Sequence, residues 1–219
     1  MSLDRRSKRR LETIDEIVAI SLTQMAQLGA GGLSLGAVAR TMGIQTPSLY
    51  SYFPSKAALY DEVFRRGWES YGLLSAGIKV CDVTDPTALL ARALTESVQW
   101  ASAHRPYAEL MFWRPIPAWE PSPRSYAAAA AVLDQLADVV TALQTHGLLD
   151  PHRSVEEVVQ VLAAIVTGIV SQHLSNNPDA PVEQGLASRH IDAMAAMFVG
   201  HYGGPLRGTA EPTQSEPTQ

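Results

Sequence analysis

Between Gln45 and Lys56 the chain carries Thr46, Ser48, Tyr50, Ser51 and Tyr52, with Pro47 among them, a density of hydroxyl groups that suits contact with a polyanion. Serine and threonine hydroxyls donate to phosphate oxygens or base edges, a tyrosine reaches both, and a helix N-terminus adds its own attraction for anions. Leu49 and Phe53 stand four apart and can turn inward, leaving the hydroxyls outward on a short helix. A tyrosine-rich capped helix that only packs on its neighbours is the other reading of the same residues. Lys56, in the first turn of the next helix, opposes that helix's dipole, which a nearby external anion such as phosphate would explain.

Residue types that perform catalysis are scattered. His104, His146, His152, His173, His190 and His201 show no metal-ligand spacing on one helix face. Glu156 and Glu157 are adjacent, so they splay about a helix rather than converge. There is no nucleophile elbow, phosphate loop or dinucleotide fingerprint. Cys81 is the single cysteine, which excludes an intrachain disulfide and a cysteine-rich zinc site. No catalytic residue, metal or cofactor is therefore expected.

The elements that position the hydroxyl run are helices. Leu11, Ile14, Val18, Leu22 and Met25 recur at spacings of three and four, and Gly29 closes the segment. Ser34 is placed to cap a short helix with Leu35, Val38, Ala39 and Met42 on its apolar face, and Gly43 fits the C′ position. Thr46 then offers a second N-cap with Pro47 at the first helical position. Helix, tight turn and helix within about twenty residues is the layout of a helix-turn-helix.

Charge divides along the chain. Residues 1–66 carry nine basic and six acidic side chains, so the net charge of −5 splits into +3 there and −8 over the rest. A basic end on an acidic body can dock a polyanion, although a basic terminal arm is often only a solvated tail. No apolar run reaches the roughly 18 residues of a bilayer span, and no secretory signal is evident. A soluble cytoplasmic protein, with no membrane partner, is the expectation.

Residues 34–60, and above all the stretch from Leu49-Tyr50 through Tyr52-Phe53-Pro54-Ser55-Lys56 to Leu59, resemble the DNA-binding signature of the tetracycline-repressor (TetR) family of regulators. The resemblance covers roughly residues 8–66. It implies an all-α fold: an N-terminal three-helix helix-turn-helix domain (1–54) and a C-terminal helical ligand-binding and dimerisation domain (55–204). A tail at 205–219 is expected to be disordered. It also implies that Thr46, Pro47, Tyr50 and Ser51 face base edges, while Ser48, Tyr52 and Lys56 grip phosphates; Gln45, Ser34, Arg9 and Arg10 are added as further DNA contacts. Gly36 stands where the family can carry a base-reading basic side chain, so specificity would lean on Tyr50, Thr46, Gln45 and DNA shape.

Beyond residue 60 the apolar spacing continues in helices. A linking helix is expected to run from Asp61 to Ile78, and others from Asp85 to about His104, Arg124 to Thr145, Val155 to about Asn176 and Val182 to Tyr202. Two features bear on function. Val158, Leu162, Ile165 and Ile169, with Ile191, Met194 and Phe198 on the last helix, form either an intrachain core or the four-helix dimer interface of the family. Trp100, His104, Tyr107, Phe112, Trp113 and Tyr126, with Trp119 nearby and His173 within possible reach, form either a ligand cavity or ordinary packing. A ligand-responsive regulator, most simply a repressor binding a palindromic operator as a homodimer and released by a small molecule, follows. The alternative is a helical small-molecule-binding or enzymatic protein without specific DNA binding.

Overall fold

Apolar spacings of three and four become helix throughout a computed structural model, which describes residues 5–204. Helices α1 (Arg5–Leu28), α2 (Leu35–Thr41) and α3 (Thr46–Tyr50) precede α4 (Lys56–Gly72). After a loop come α5 (Pro86–Ala103), α6 (Arg105–Ala108), α7 (Pro123–Thr145), α8 (Val155–Asn176) and α9 (Ile191–Tyr202). Among the described residues the one extended pairing is an isolated antiparallel bridge between Leu149 and Gly203. The tail expected to be disordered lies outside the described residues.

Element ends follow local chemistry. Ser34, Ser55, Asp85, Ser122 and Ser154 each accept a backbone N–H as N-caps of α2, α4, α5, α7 and α8. At the end of α2, Gly43 has φ +70° and the motif is complete: Gly43 N donates to Arg40 O and Ile44 N to Ala39 O.

Four boundaries depart from the sequence reading. The basic segment Arg5–Arg10 is the first part of α1, not an extended arm, because it lacks Gly and Pro and its residues favour helix. Helix α4 stops at Gly72 rather than Ile78, with Ser75 Oγ donating to the open carbonyl of Gly72 (3.1 Å). Pro106 does not simply stop α5; it sits in the first turn of α6, which leads into a π-helical turn at Glu109–Trp113. Helix α9 begins at Ile191, preceded by 3-10 turns that Ser188 Oγ ties to Val182 O (2.6 Å).

One apolar cluster runs from Ile17, Val38 and Leu49 through Leu59, Val63 and Phe64 to Leu94, Leu110, Ile169 and Ile191. A second joins Val140, Leu143, Val158, Leu162 and Phe198. Helices α7 and α8 are long and apolar enough, by length and average composition, to cross a bilayer. Alanine and valine raise their average without an uninterrupted apolar run of that length, and the two helices pack against each other, α7 also on α4 and α8 on α5.

Candidate functional site

Leu49 anchors the outward display. Its side chain is fully buried with Val38, Ala39 and Phe53, so the opposite face of α3 must point to solvent. Pro47, Ser48, Tyr50 and Ser51 are exposed there, as is Gln45, and Thr46 is half-buried. Tyr50 is 48 % exposed, with its ring turned to solvent. Thr46 is not the cap that the sequence suggested: Gln45, in extended backbone and with no side-chain cap bond, holds that position, and Thr46 begins the helix.

The flanking groups are placed by α1 and α4. Arg10 stacks its guanidinium over the Tyr52 ring (4.9 Å) and donates to Ser51 O (3.2 Å), fixing one cation beside α3. Arg9 is exposed, and Arg6 lies one turn before Arg10 on the same face. Two expected contacts are already engaged. Ser51 Oγ donates to Ser48 O (2.7 Å), leaving it an acceptor only, and Ser34 Oγ serves as the α2 cap. Lys56 needs no external anion, since its Nζ donates to Gly31 O (3.0 Å) and lies over the Tyr60 ring (5.4 Å). Its other two N–H donors remain for a phosphate.

An ionic chain couples this unit to the helical body. Arg66 binds Asp15 of α1 (2.7 Å) and Glu62 (2.6 Å), and Arg65 binds Glu62 (2.7 Å) and Glu69. Partial burial pushes the Glu62 carboxyl up, but hydrogen bonds and charge from Arg65 and Arg66 outweigh it and hold the group below 4.5. A depressed carboxylate contributes stability that is complete above its unfolded pKa and disappears as pH falls through the folded value. Wild-type protein should therefore lose more melting temperature below about pH 4.5 than Glu62→Gln does, as thermal melts across pH would record. Asp61 Oδ1 in turn accepts Ser122 N (3.1 Å) and Ser125 Oγ (3.2 Å), fastening α4 to the start of α7.

The aromatic residues pack solidly instead of surrounding a void. Tyr71 meets Trp100 (5.1 Å) and Phe112 (5.9 Å) edge to face, and His104 stacks on Trp100 (5.0 Å) and neighbours Tyr107 (6.4 Å). Trp113 donates to Ser171 Oγ (2.8 Å) and Tyr126 is 48 % exposed on α7, away from that stack. His173 is fully buried with Nδ1 on Ser188 Oγ (3.0 Å), and burial lowers its pKa. Its Nε2 is buried with no hydrogen-bond partner among the described residues.

The helical body instead holds two adjoining cavities of about 120 and 70 Å³, between the end of α4 and helices α5, α7 and α8. Tyr71 and Ser97 are the polar pair at the first, while the second is walled by apolar residues including Val140 and Phe198. Sequence reasoning missed these residues because singly they read as helix core. The one available signal was Tyr71, a hydroxyl on the apolar stripe Tyr60, Phe64, Trp68 and Tyr71 of α4.

The residues assigned to a dimer face are turned inward. Val158, Leu162, Ile169, Ile191 and Phe198 are buried within the chain, and Ile165 and Met194 are half-buried. Gln160, Ala164, Gly168 and Gln172 on α8, and Ala193, Ala196, Met197 and Gly200 on α9, are exposed instead. The bulky residues went to the core because burying them there removes more apolar area from water than burying alanine or glycine would.

A capped helix, a left-handed glycine turn and an exposed hydroxyl-rich helix, joined to a larger helical body, define a helix-turn-helix. Residues 17–63 match the profile of bacterial regulatory proteins of the tetR family. No curated protein matches the chain. Among solved structures, a protein of unknown function from Rhodococcus sp. RHA1 is 21 % identical, with 87 % of this chain and 95 % of that one covered and a TM-score of 0.71. A TetR family transcriptional regulator from Chloroflexus aurantiacus J-10-FL is 16 % identical over 87 % and 93 %, TM-score 0.63. RolR in complex with resorcinol is 17 % identical over 90 % and 91 %, TM-score 0.58. At these identities the likeness is one of fold.

Proposed function

We propose that the chain is a cytoplasmic, homodimeric repressor that binds a palindromic DNA operator and is released by a small-molecule effector. Residues 1–54 read DNA, and residues 55–204 dimerise and bind the effector. The observation that carries this is the outward face of α3: Gln45, Pro47, Ser48 and Tyr50 are exposed on a helix whose Leu49 is fully buried. Tyr50, Thr46 and Gln45 meet base edges, and Ser48, Lys56, Arg9 and Arg10 hold phosphates.

One helix-turn-helix buries little DNA surface, whereas a twofold dimer reads two half-sites about 34–36 Å apart. The exposed small-residue faces of α8 and α9 allow close helix approach and form that dimer. RolR was solved with a small ligand, and the corresponding role here falls to the cavities beside Tyr71 rather than to the Trp100–His104 stack. To move operator occupancy from about 99:1 to 1:99, the released state must bind effector roughly 10⁴-fold better than the DNA-bound state.

A gel-shift titration against the inverted repeat upstream of the gene tests the reading. Retardation specific to that repeat, falling steeply with salt, is expected. Binding that ignores sequence would favour a helical ligand-binding protein with an incidental basic end. Lys56→Ala should weaken binding to every duplex by a similar factor and flatten the salt slope by about one unit. It should also lower the melting temperature slightly through loss of the Gly31 bond. A change in operator preference would contradict the phosphate role.

A further inference from the structure

The two cavities share Ile78, Leu90, Ala93, Leu136 and Leu162 as a common wall, so they form one slot pinched in the middle. Its chemistry is narrow. No lysine, arginine or histidine lines either part. The one charged lining residue is Glu96, whose carboxylate is 42 % exposed and lies toward Arg92 (3.8 Å). An anionic ligand would thus leave water without meeting a cation, and a cationic one would meet no buried carboxylate.

Ser75 also lines the larger compartment, but its hydroxyl proton is taken by Gly72 O (3.1 Å), which leaves the Tyr71–Ser97 pair as the polar handle. Ser97 Oγ donates to Ala93 O (2.8 Å), so in its bond with Tyr71 (2.9 Å) the tyrosine hydroxyl is the donor. The Tyr71 oxygen keeps a lone pair for an incoming O–H, and burial raises its pKa, so the phenol stays neutral. For size, an apolar cavity of about 150 Å³ accepts benzene, and the two compartments here, about 120 and 70 Å³, reach that size together.

Resting on the reading of this slot as the effector site, we infer that the effector is a small uncharged molecule, one ring or a short alkyl chain, with a single hydroxyl donating to Tyr71. Larger members of the class extend past the pinch at Leu90, Leu136 and Leu162. Carboxylates, phosphates and amines are excluded.

The test uses the full chain and three probes of one shape: 4-methylphenol, toluene and 4-methylbenzoate, each read by thermal melting without DNA. At a hundredfold excess over its Kd, 4-methylphenol should raise the melting temperature by roughly 5–10 °C. Toluene should need about tenfold more ligand for the same shift, and 4-methylbenzoate should give none. Tyr71→Phe should bring 4-methylphenol down to the level of toluene. Ala93→Met, which fills the shared wall, should abolish both shifts, with Ala93→Val as the milder variant if the larger side chain impairs folding. Equal shifts from 4-methylbenzoate, no shift from any probe, or shifts that persist in the folded Ala93 variants would overturn the inference. Because no DNA is present, these outcomes are separate from a failure of operator binding, which the gel shift reads alone.

Discussion

Replacing Tyr50 by alanine is expected to cut operator affinity by at least about 30-fold while leaving affinity for random duplex nearly unchanged. The ring stands 48 % exposed on α3 and its hydroxyl makes no hydrogen bond among the described residues, so its removal costs the fold little. In a twofold complex the change is counted twice. Loss of one base-edge contact costs about 1–3 kcal/mol at each half-site, and 2 kcal/mol already corresponds to about 30-fold. Competition titrations with operator and scrambled duplex, alongside a melt of the protein alone, check all three parts. An equal loss on both duplexes would show that Tyr50 grips the backbone and does not read bases.

The largest expected effect on stability comes from Phe64→Ala. Phe64 is 1 % exposed on α4 and packs edge-on against Trp68 (6.1 Å) and Trp119 (5.8 Å), in the stretch of core that joins the DNA-reading helices to the helical body. Deleting a buried phenyl ring costs about 3–5 kcal/mol through lost burial and the cavity left behind. At about 2–4 °C per kcal/mol for a chain of this length, the melting temperature should fall by roughly 6–20 °C. Phe64→Leu should recover most of it. A fall within the error of the melt would mean that the two halves of the chain do not share a core at this point.

Both effects depend on α4. Its inner face carries Leu59, Tyr60, Val63 and Phe64, its Arg66 reaches Asp15 of α1, and its Asp61 holds the start of α7. The far end of the same helix supplies Tyr71 to the cavity. The effector proposed at Tyr71 and the phosphate proposed near Lys56 would therefore act on opposite ends of one helix, a physical basis for coupling them.

Local order was written in the chain. Ser34, Gly43, Pro47 and Ser55 act through their own backbone neighbours, so the helix-turn-helix and the outward hydroxyls of α3 could be read from spacing, although the cap of α3 falls on Gln45, one residue before Thr46. What failed was everything that depends on which distant residue lies opposite. Nothing near Lys56 in sequence showed that one of its donors is taken by Gly31, twenty-five residues earlier. Trp100 and His104 looked like cavity walls because aromatic residues line pockets and fill cores equally well, and the neighbour that decides, Tyr71, sits on another helix. Val158, Leu162 and Phe198 marked two apolar helices correctly, but a helix that is apolar on several sides carries no sign of which side meets its own chain and which a second copy. Periodicity records that a face is buried; only the packing of α4, α5, α7 and α8 around one another determines what buries it and where a void is left.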